Sequence, residues 1–205
     1  MEIKSFKELI GIWDGKLTVL DSSFNEIKKL YDSDPESDGY SNINGWQKTG
    51  LHKMPQFDPL KKMIINRCYD YLEEHDIEKP TGLECVHLFA NINPKGGSNS
   101  IHHHTYGQIS GVYWLKAPLN SGDLIIMSPY TNRYLNTSLV PKSVSTTANK
   151  YMDYNALVLK PRANKGVFFN SNLMHYVDIN RSSKDLSLIH ISEPTRLLSI
   201  SYAGV

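Results

Sequence analysis

The chain has 205 residues, 40% of them apolar and 21% charged, which fits one globular domain and excludes a disordered, collagen-like or coiled-coil chain. Its 22 lysines and arginines balance 21 acids, so no overall charge marks a nucleic-acid or anionic-membrane partner. No apolar run approaches the roughly 18 residues of a membrane span, and the opening MEIKSFKELIGIWDG lacks a signal-peptide pattern, so a cytoplasmic location is expected.

Residues 1–55 read as an N-terminal arm. Asp21 or Ser22 can cap a short helix carrying Phe24, Ile27, Leu30 and Tyr31 at helical spacing, and SDPESDG stops it. A polar loop, SNINGWQKTG, follows. Residues 56–205 form the main domain. It opens on a helix with Asp58 as N-cap, Pro59 in the first turn, and Leu60, Met63, Ile64, Cys68, Tyr71 and Leu72 on one stripe as far as about Glu74. From Leu83 the chain breaks into short β-rich runs, with strands expected near 84–92, 109–116, 123–127, 155–160, 166–170, 173–178 and 198–203. This predicts a mainly β sandwich or barrel with the helices packed on one side. The polar stretch from Pro129 to Asn149 reads as a long loop, whose functional form is a lid. Cys68 and Cys85 fall on different elements and are expected to be buried thiols.

The chemical signal lies in NSIHHHTYGQISGVYWLKAP. In extended chain, His102 and His104 point to one face and His103 to the other. A third imidazole, His175, sits in the apolar run FFNSNLMHYVDIN. Three ligands on one side of an ion leave positions open, as in mononuclear non-haem iron sites. A run of three histidines is also compatible with plain polar surface. His52, His75 and His87 are isolated and read as surface or core residues. No nucleophile elbow or phosphate loop is present.

The strings NINPKGG, HxH, SGVYWLKAP, SGDLIIM and KGVFFNSNLMHYV, in that order and preceded by SNINGW, resemble a family of Fe(II)- and 2-oxoglutarate-dependent oxygenases of marine bacteria and phages, distantly like prolyl hydroxylases. The resemblance implies a double-stranded β-helix, a jelly-roll or cupin-like fold. It implies Fe(II), 2-oxoglutarate and O2 as reactants, with ascorbate as a possible accessory, and hydroxylation of an unidentified small-molecule or peptidyl substrate. Its metal ligands fall on His102, His104 and His175, with His104 where the wider superfamily has a carboxylate. Tyr113 matches a tyrosine that binds the far carboxylate of 2-oxoglutarate, with a core aromatic as the alternative; Trp114 then faces the other way. Asn91 and Asn93 are candidates to line the pocket, and SNINGW and the 129–149 loop to touch substrate. A metal enzyme that does not use 2-oxoglutarate, and a noncatalytic jelly-roll binding or phage structural module, remain as other readings.

The C-terminal part departs from the family. Its arginine, which pairs with the 2-oxoglutarate carboxylate, belongs two residues before Ser199, where Leu197 stands; Arg196 is one residue early, a slip that turns a strand side chain to the other face. The segment LSLIHISEPTR, Leu186 to Arg196, resembles a translated adapter from sequencing-library preparation. On that resemblance the segment is foreign to the fold, His190 is no ligand, and its removal joins Asp185 to Leu197, where the family's arginine belongs.

Overall fold

The computed structural model describes residues 10–85, 87–104, 107–129 and 156–193. The elements run β1 (Gly11–Asp14), α1 (Leu17–Ser33), β2 (Asn42–Ile43), β3 (Trp46–Lys48), α2 (Asp58–Glu74), β4 (His87–Asn93), β5 (Ser98–His102), β6 (Ile109–Lys116), β7 (Leu124–Met127), β8 (Ala156–Leu159), β9 (Lys165–Asn170), β10 (His175–Val177) and β11 (Leu186–Glu193). The strands form two antiparallel sheets, ordered β1-β9-β6-β11-β4-β3 and β2-β5-β10-β7-β8. Facing each other, with helices outside the larger one, they make the double-stranded β-helix expected from the sequence.

The strand β6 explains the layering. Seven of its eight residues, Ile109 to Leu115, are buried, because both faces of the larger sheet are covered. Val112 and Trp114 point between the sheets, onto Val167, Phe169, Leu124, Ile126 and Leu188. Tyr113 and Leu115 point outward, into a core shared with Ile27, Leu60, Ile64 and Tyr71 of the helices. Burying one such large side chain contributes about 1.5–3 kcal/mol, so coverage of both faces lets β6 stabilise the domain on either side of the sheet.

The helix α2 matches its sequence pattern, all six stripe residues being buried, although Phe57 takes the N-cap place and Asp58 lies in the first turn. The helix α1 starts at Leu17, before the expected Asp21 or Ser22 cap; Lys16 caps it without a side-chain hydrogen bond, and the Ser22 hydroxyl donates to the Val19 carbonyl. The described part of the arm, residues 10–55, is built into the domain: β1 pairs with β9, and β3 with β4. The expected polar loop contains β2 and β3, anchored by buried Trp46, whose indole donates to the Asp34 carbonyl at 3.0 Å. Cys68 and Cys85 are buried thiols.

The strand β11 lies between β6 and β4, in the middle of the larger sheet. Leu186, Leu188 and His190 pair with Asn93, Asn91 and Phe89 and share their inward face, while Ile189 and Ile191 face the helices. All five are completely buried. A slot covered on both faces asks for near-continuous apolar residues, and LSLIHIS supplies them. The expected strand 198–203 and Pro129–Asn149, beyond Pro129 itself, lie outside the described residues.

Candidate metal centre

Four histidines meet at one end of the space between the sheets. His102 closes β5, His104 follows two residues later, His175 opens β10, and His190 lies on β11. One nitrogen of each lies within 4.8 Å of the others. Ring centroids of His102, His104 and His175 are 4.4–5.2 Å apart, and His190 stands 5.5, 6.2 and 5.9 Å from them. His103, on the opposite side of the extended chain, is exposed.

Hydrogen bonds fix three of the rings. The Nδ1 of His102 lies 2.7 Å from the Ser100 carbonyl, and that of His175 lies 2.9 Å from the Leu173 carbonyl. A carbonyl only accepts, so each Nδ1 carries the proton and each Nε2 keeps its lone pair. His104 Nδ1 lies 2.8 Å from Ser110 Oγ, whose own hydrogen goes to Ser171 Oγ at 2.8 Å, which sets the same tautomer. All three Nε2 atoms are buried without a partner.

Burial keeps the rings neutral. Desolvation first, then the neighbouring imidazoles, lower His175 to about 3 and His104 to about 4. Burial lowers His102 and His190 too, His190 strongly. Neutral rings with converging lone pairs and occupied Nδ1 atoms are the donor set a divalent transition metal takes. A bound ion would satisfy atoms that each otherwise cost about 1–3 kcal/mol to bury unpaired. The residues therefore fit a metal ion; among the described residues, no carboxylate joins the group.

The larger sheet does not bring Tyr113 to this place. Tyr113 lies on the helix side, stacked on Trp13 at 5.1 Å between ring centroids, and its hydroxyl donates to Asn164 Oδ1 at 2.9 Å. Gly15 leaves room for that hydroxyl, which a Cβ there would overlap. The inward aromatic of β6 is Trp114, whose indole nitrogen is buried without a partner. This corrects the expected pairing of Tyr113 with a cosubstrate carboxylate: both faces of β6 are apolar, so alternation alone does not say which one is inward. Arg196 lies outside the described residues. Among those described, no lysine or arginine is buried, and the inward residues of β11 are Leu186, Leu188 and His190, so β11 places no cation beside the histidines, and exposed Lys53 lines the cavity that opens onto them.

Asn91 and Asn93 both face inward. They join Asn42 and Asn99 in a carboxamide network with links of 2.7–3.2 Å. His52 and His87, read as isolated in sequence, lie edge to face at 5.6 Å. With Gln47 and Lys53 they line a cavity of about 550 Å³ that opens onto His102 and His104. His190, which the adapter resemblance implies is no ligand, lies on the inward face of β11 beside the other three, as the alternation within LIHIS indicates.

Residues 87–188 match the family described as "Putative 2OG-Fe(II) oxygenase". Among solved structures, the chain is similar to the non-heme alpha ketoglutarate dependent carbocyclase SnoK from nogalamycin biosynthesis, at 10% identity and a TM-score of 0.64 over 91% of this chain and 79% of that one. It is similar to a Pseudomonas putida prolyl-4-hydroxylase at 14% identity and a TM-score of 0.59, over 91% and 93%. It is similar to HygX from Streptomyces hygroscopicus, solved with nickel and 2-oxoglutarate bound, at 16% identity and 0.59 over 92% and 84%. At such identities the likeness is one of fold. No curated protein matches the chain in sequence.

Proposed function

We infer that the chain, a 2OG-Fe(II) oxygenase by the family match over residues 87–188, is a hydroxylase whose iron is held by His102, His104 and His175. The observation that carries this reading is the convergence of three buried Nε2 lone pairs whose tautomers are already set by Ser100, Ser110 and Leu173. In this family's chemistry, Fe(II) and O2 couple the oxidative decarboxylation of 2-oxoglutarate, giving succinate and CO2, to hydroxylation of a C–H bond. The protein's share is to orient and to exclude water. The carbonyls of Ser100 and Leu173 hold the protons on Nδ1, and Phe169, 4.8 Å from the His175 ring, walls it off with hydrocarbon.

The substrate, a small molecule or peptide, enters through the cavity that ends at His102 and His104. Gln47 Oε1 and His52 Nδ1 line it as buried polar atoms without a partner, and substrate polar groups satisfy them. Ascorbate serves as the accessory reductant that keeps iron divalent, and the enzyme works in the cytoplasm. The test is anaerobic addition of Fe(II) and then 2-oxoglutarate. A weak visible charge-transfer band is expected, and it is lost in His102→Ala and His175→Ala. Its absence both in this chain and in a chain lacking residues 186–196 overturns the reading.

A further inference from the structure

His190 is the member of the cluster that nothing on the protein holds. Each of the other three has a hydrogen bond at Nδ1, whereas both ring nitrogens of His190 are buried without a partner. The residue is completely buried on the inward face of β11, paired with Phe89 on one side and Val112 on the other. The Phe89 ring meets it edge to face at 4.8 Å, and neither neighbouring side chain can hydrogen-bond. Two such nitrogens in hydrocarbon cost about 1–3 kcal/mol each unless something occupies them. The other three rings present lone pairs to the same place, and these are acceptors that cannot satisfy one another. A cation at their meeting point takes one lone pair from each of the four rings, leaving the second nitrogen of His190 as the one in the cluster still without a partner.

Resting on the reading of His102, His104 and His175 as ligands, we propose that His190 is a fourth donor to the same ion, so that this chain builds a carboxylate-free centre of four imidazoles. One of its nitrogens already lies within 4.8 Å of the other three donors, a spread that small ring rotations can close around an ion. Four neutral donors also leave the full double charge of the ion uncompensated, so the centre favours an added anion.

Coordination counting gives the consequence. An octahedral ion bound by three histidines keeps three positions, enough for a 2-oxo acid held through two oxygens and for dioxygen. Bound by four histidines it keeps two, enough for one of these reactants and not for both. As a fourth donor, His190 would thus tighten metal binding and take one of the positions otherwise open to the reactants.

The experiment loads metal-free protein with Cu(II) and counts equatorial nitrogens by electron paramagnetic resonance, and measures Zn(II) affinity by chelator competition. His190→Phe fills the buried space, His190→Ala empties it, and His75→Ala, at the C-terminal end of α2, serves as a histidine control outside the cavity. The expected result is a four-nitrogen pattern that becomes three-nitrogen in both His190 variants. Zn(II) affinity should fall by at least the ~10-fold that loss of an outer partner typically costs a metal site, with no change in His75→Ala. An unchanged nitrogen count and affinity in the folded His190→Phe protein overturns the proposal while leaving the three-histidine reading intact. Loss of neither signal in His102→Ala would overturn both.

Discussion

His175 lies directly across from His102 where β10 pairs with β5, their rings 4.4 Å apart, and each ring hydrogen-bonds a carbonyl two residues earlier in its own chain. The same local device is used twice, and main-chain atoms supply it both times. Side-chain identity at Ser100 and Leu173 is therefore irrelevant to the tautomers. Ser100→Ala should keep stoichiometric Fe(II) under anaerobic loading, whereas His102→Ala and His175→Ala should lose it, as read by metal analysis after gel filtration.

His104 differs in relying on a side chain. Ser110→Ala removes the acceptor at its Nδ1 and interrupts the relay to Ser171. The Nε2 lone pair is then no longer guaranteed, and metal affinity should fall by about 10–100-fold with little change in fold. Zn(II) competition together with circular dichroism checks this, and equal affinities would show that packing alone orients the ring.

Without metal, the cluster makes stability pH-dependent. The unfolded chain protonates its histidines near 6.5, while in the fold His104 waits until about 4 and His175 until about 3, with His102 lowered as well. Below 6.5 the unfolded state binds the additional protons. The stability present above that pH is lost as pH falls, by up to about 1.4 kcal/mol per pH unit for each ring concerned, and the loss levels off once the folded rings protonate. Urea midpoints of chelator-treated protein should drop between pH 6.5 and 4. A flat profile there contradicts the burial of neutral rings.

Tyr113 and Trp114 offer a test of which face of β6 is inward. Tyr113→Phe removes the bond to Asn164 and should cost about 0.5–1.5 kcal/mol of stability while leaving 2-oxoglutarate affinity unchanged. Trp114→Phe removes the unpartnered inward N–H and should weaken that affinity instead. Calorimetric titration of the Zn(II)-loaded proteins separates the two, and the reverse result would put the cosubstrate on the wrong side of the sheet.

What could be read from sequence follows from length and repetition. The helix α2 and strand β6 show sustained patterns, and the histidines of HxH and LMHYV stand out by residue type. Strands β2 and β3, of two and three residues, are too short to display a period, and β1 is recognised only through its pairing with β9. Facing was the harder question. Val112 and Trp114 are as apolar and as buried as Tyr113 and Leu115, so nothing in the residues themselves distinguishes the inner face. His190 is the opposite case, since the alternation within LIHIS shows its strand position plainly and only the adapter resemblance speaks against it as a ligand.

That segment can be tested directly. With residues 186–196 removed, strand alternation puts Leu197, Ser199 and Ser201 at the inward positions of Leu186, Leu188 and His190, and Leu198, Ile200 and Tyr202 outward. The shortened chain should fold and bind metal through three nitrogens, and adding Leu197→Arg should tighten 2-oxoglutarate binding by supplying the missing cation. Titration calorimetry with and without that substitution decides it, and no gain from the arginine would mean that the pocket lies elsewhere.

The β5–β10 pairing carries a further implication. His175 and Val177 are two residues apart, yet their partners His102 and Asn99 are three apart, so β5 holds one residue more than the ladder requires. That surplus is what lets Asn99, buried beside Asn91 and Asn93, and His102, at the metal cluster, both turn inward. Selection on this stretch therefore acts on spacing more than on identity: Ser100 and exposed Ile101 can drift in sequence, but the loss of either residue would turn His102 out of the centre.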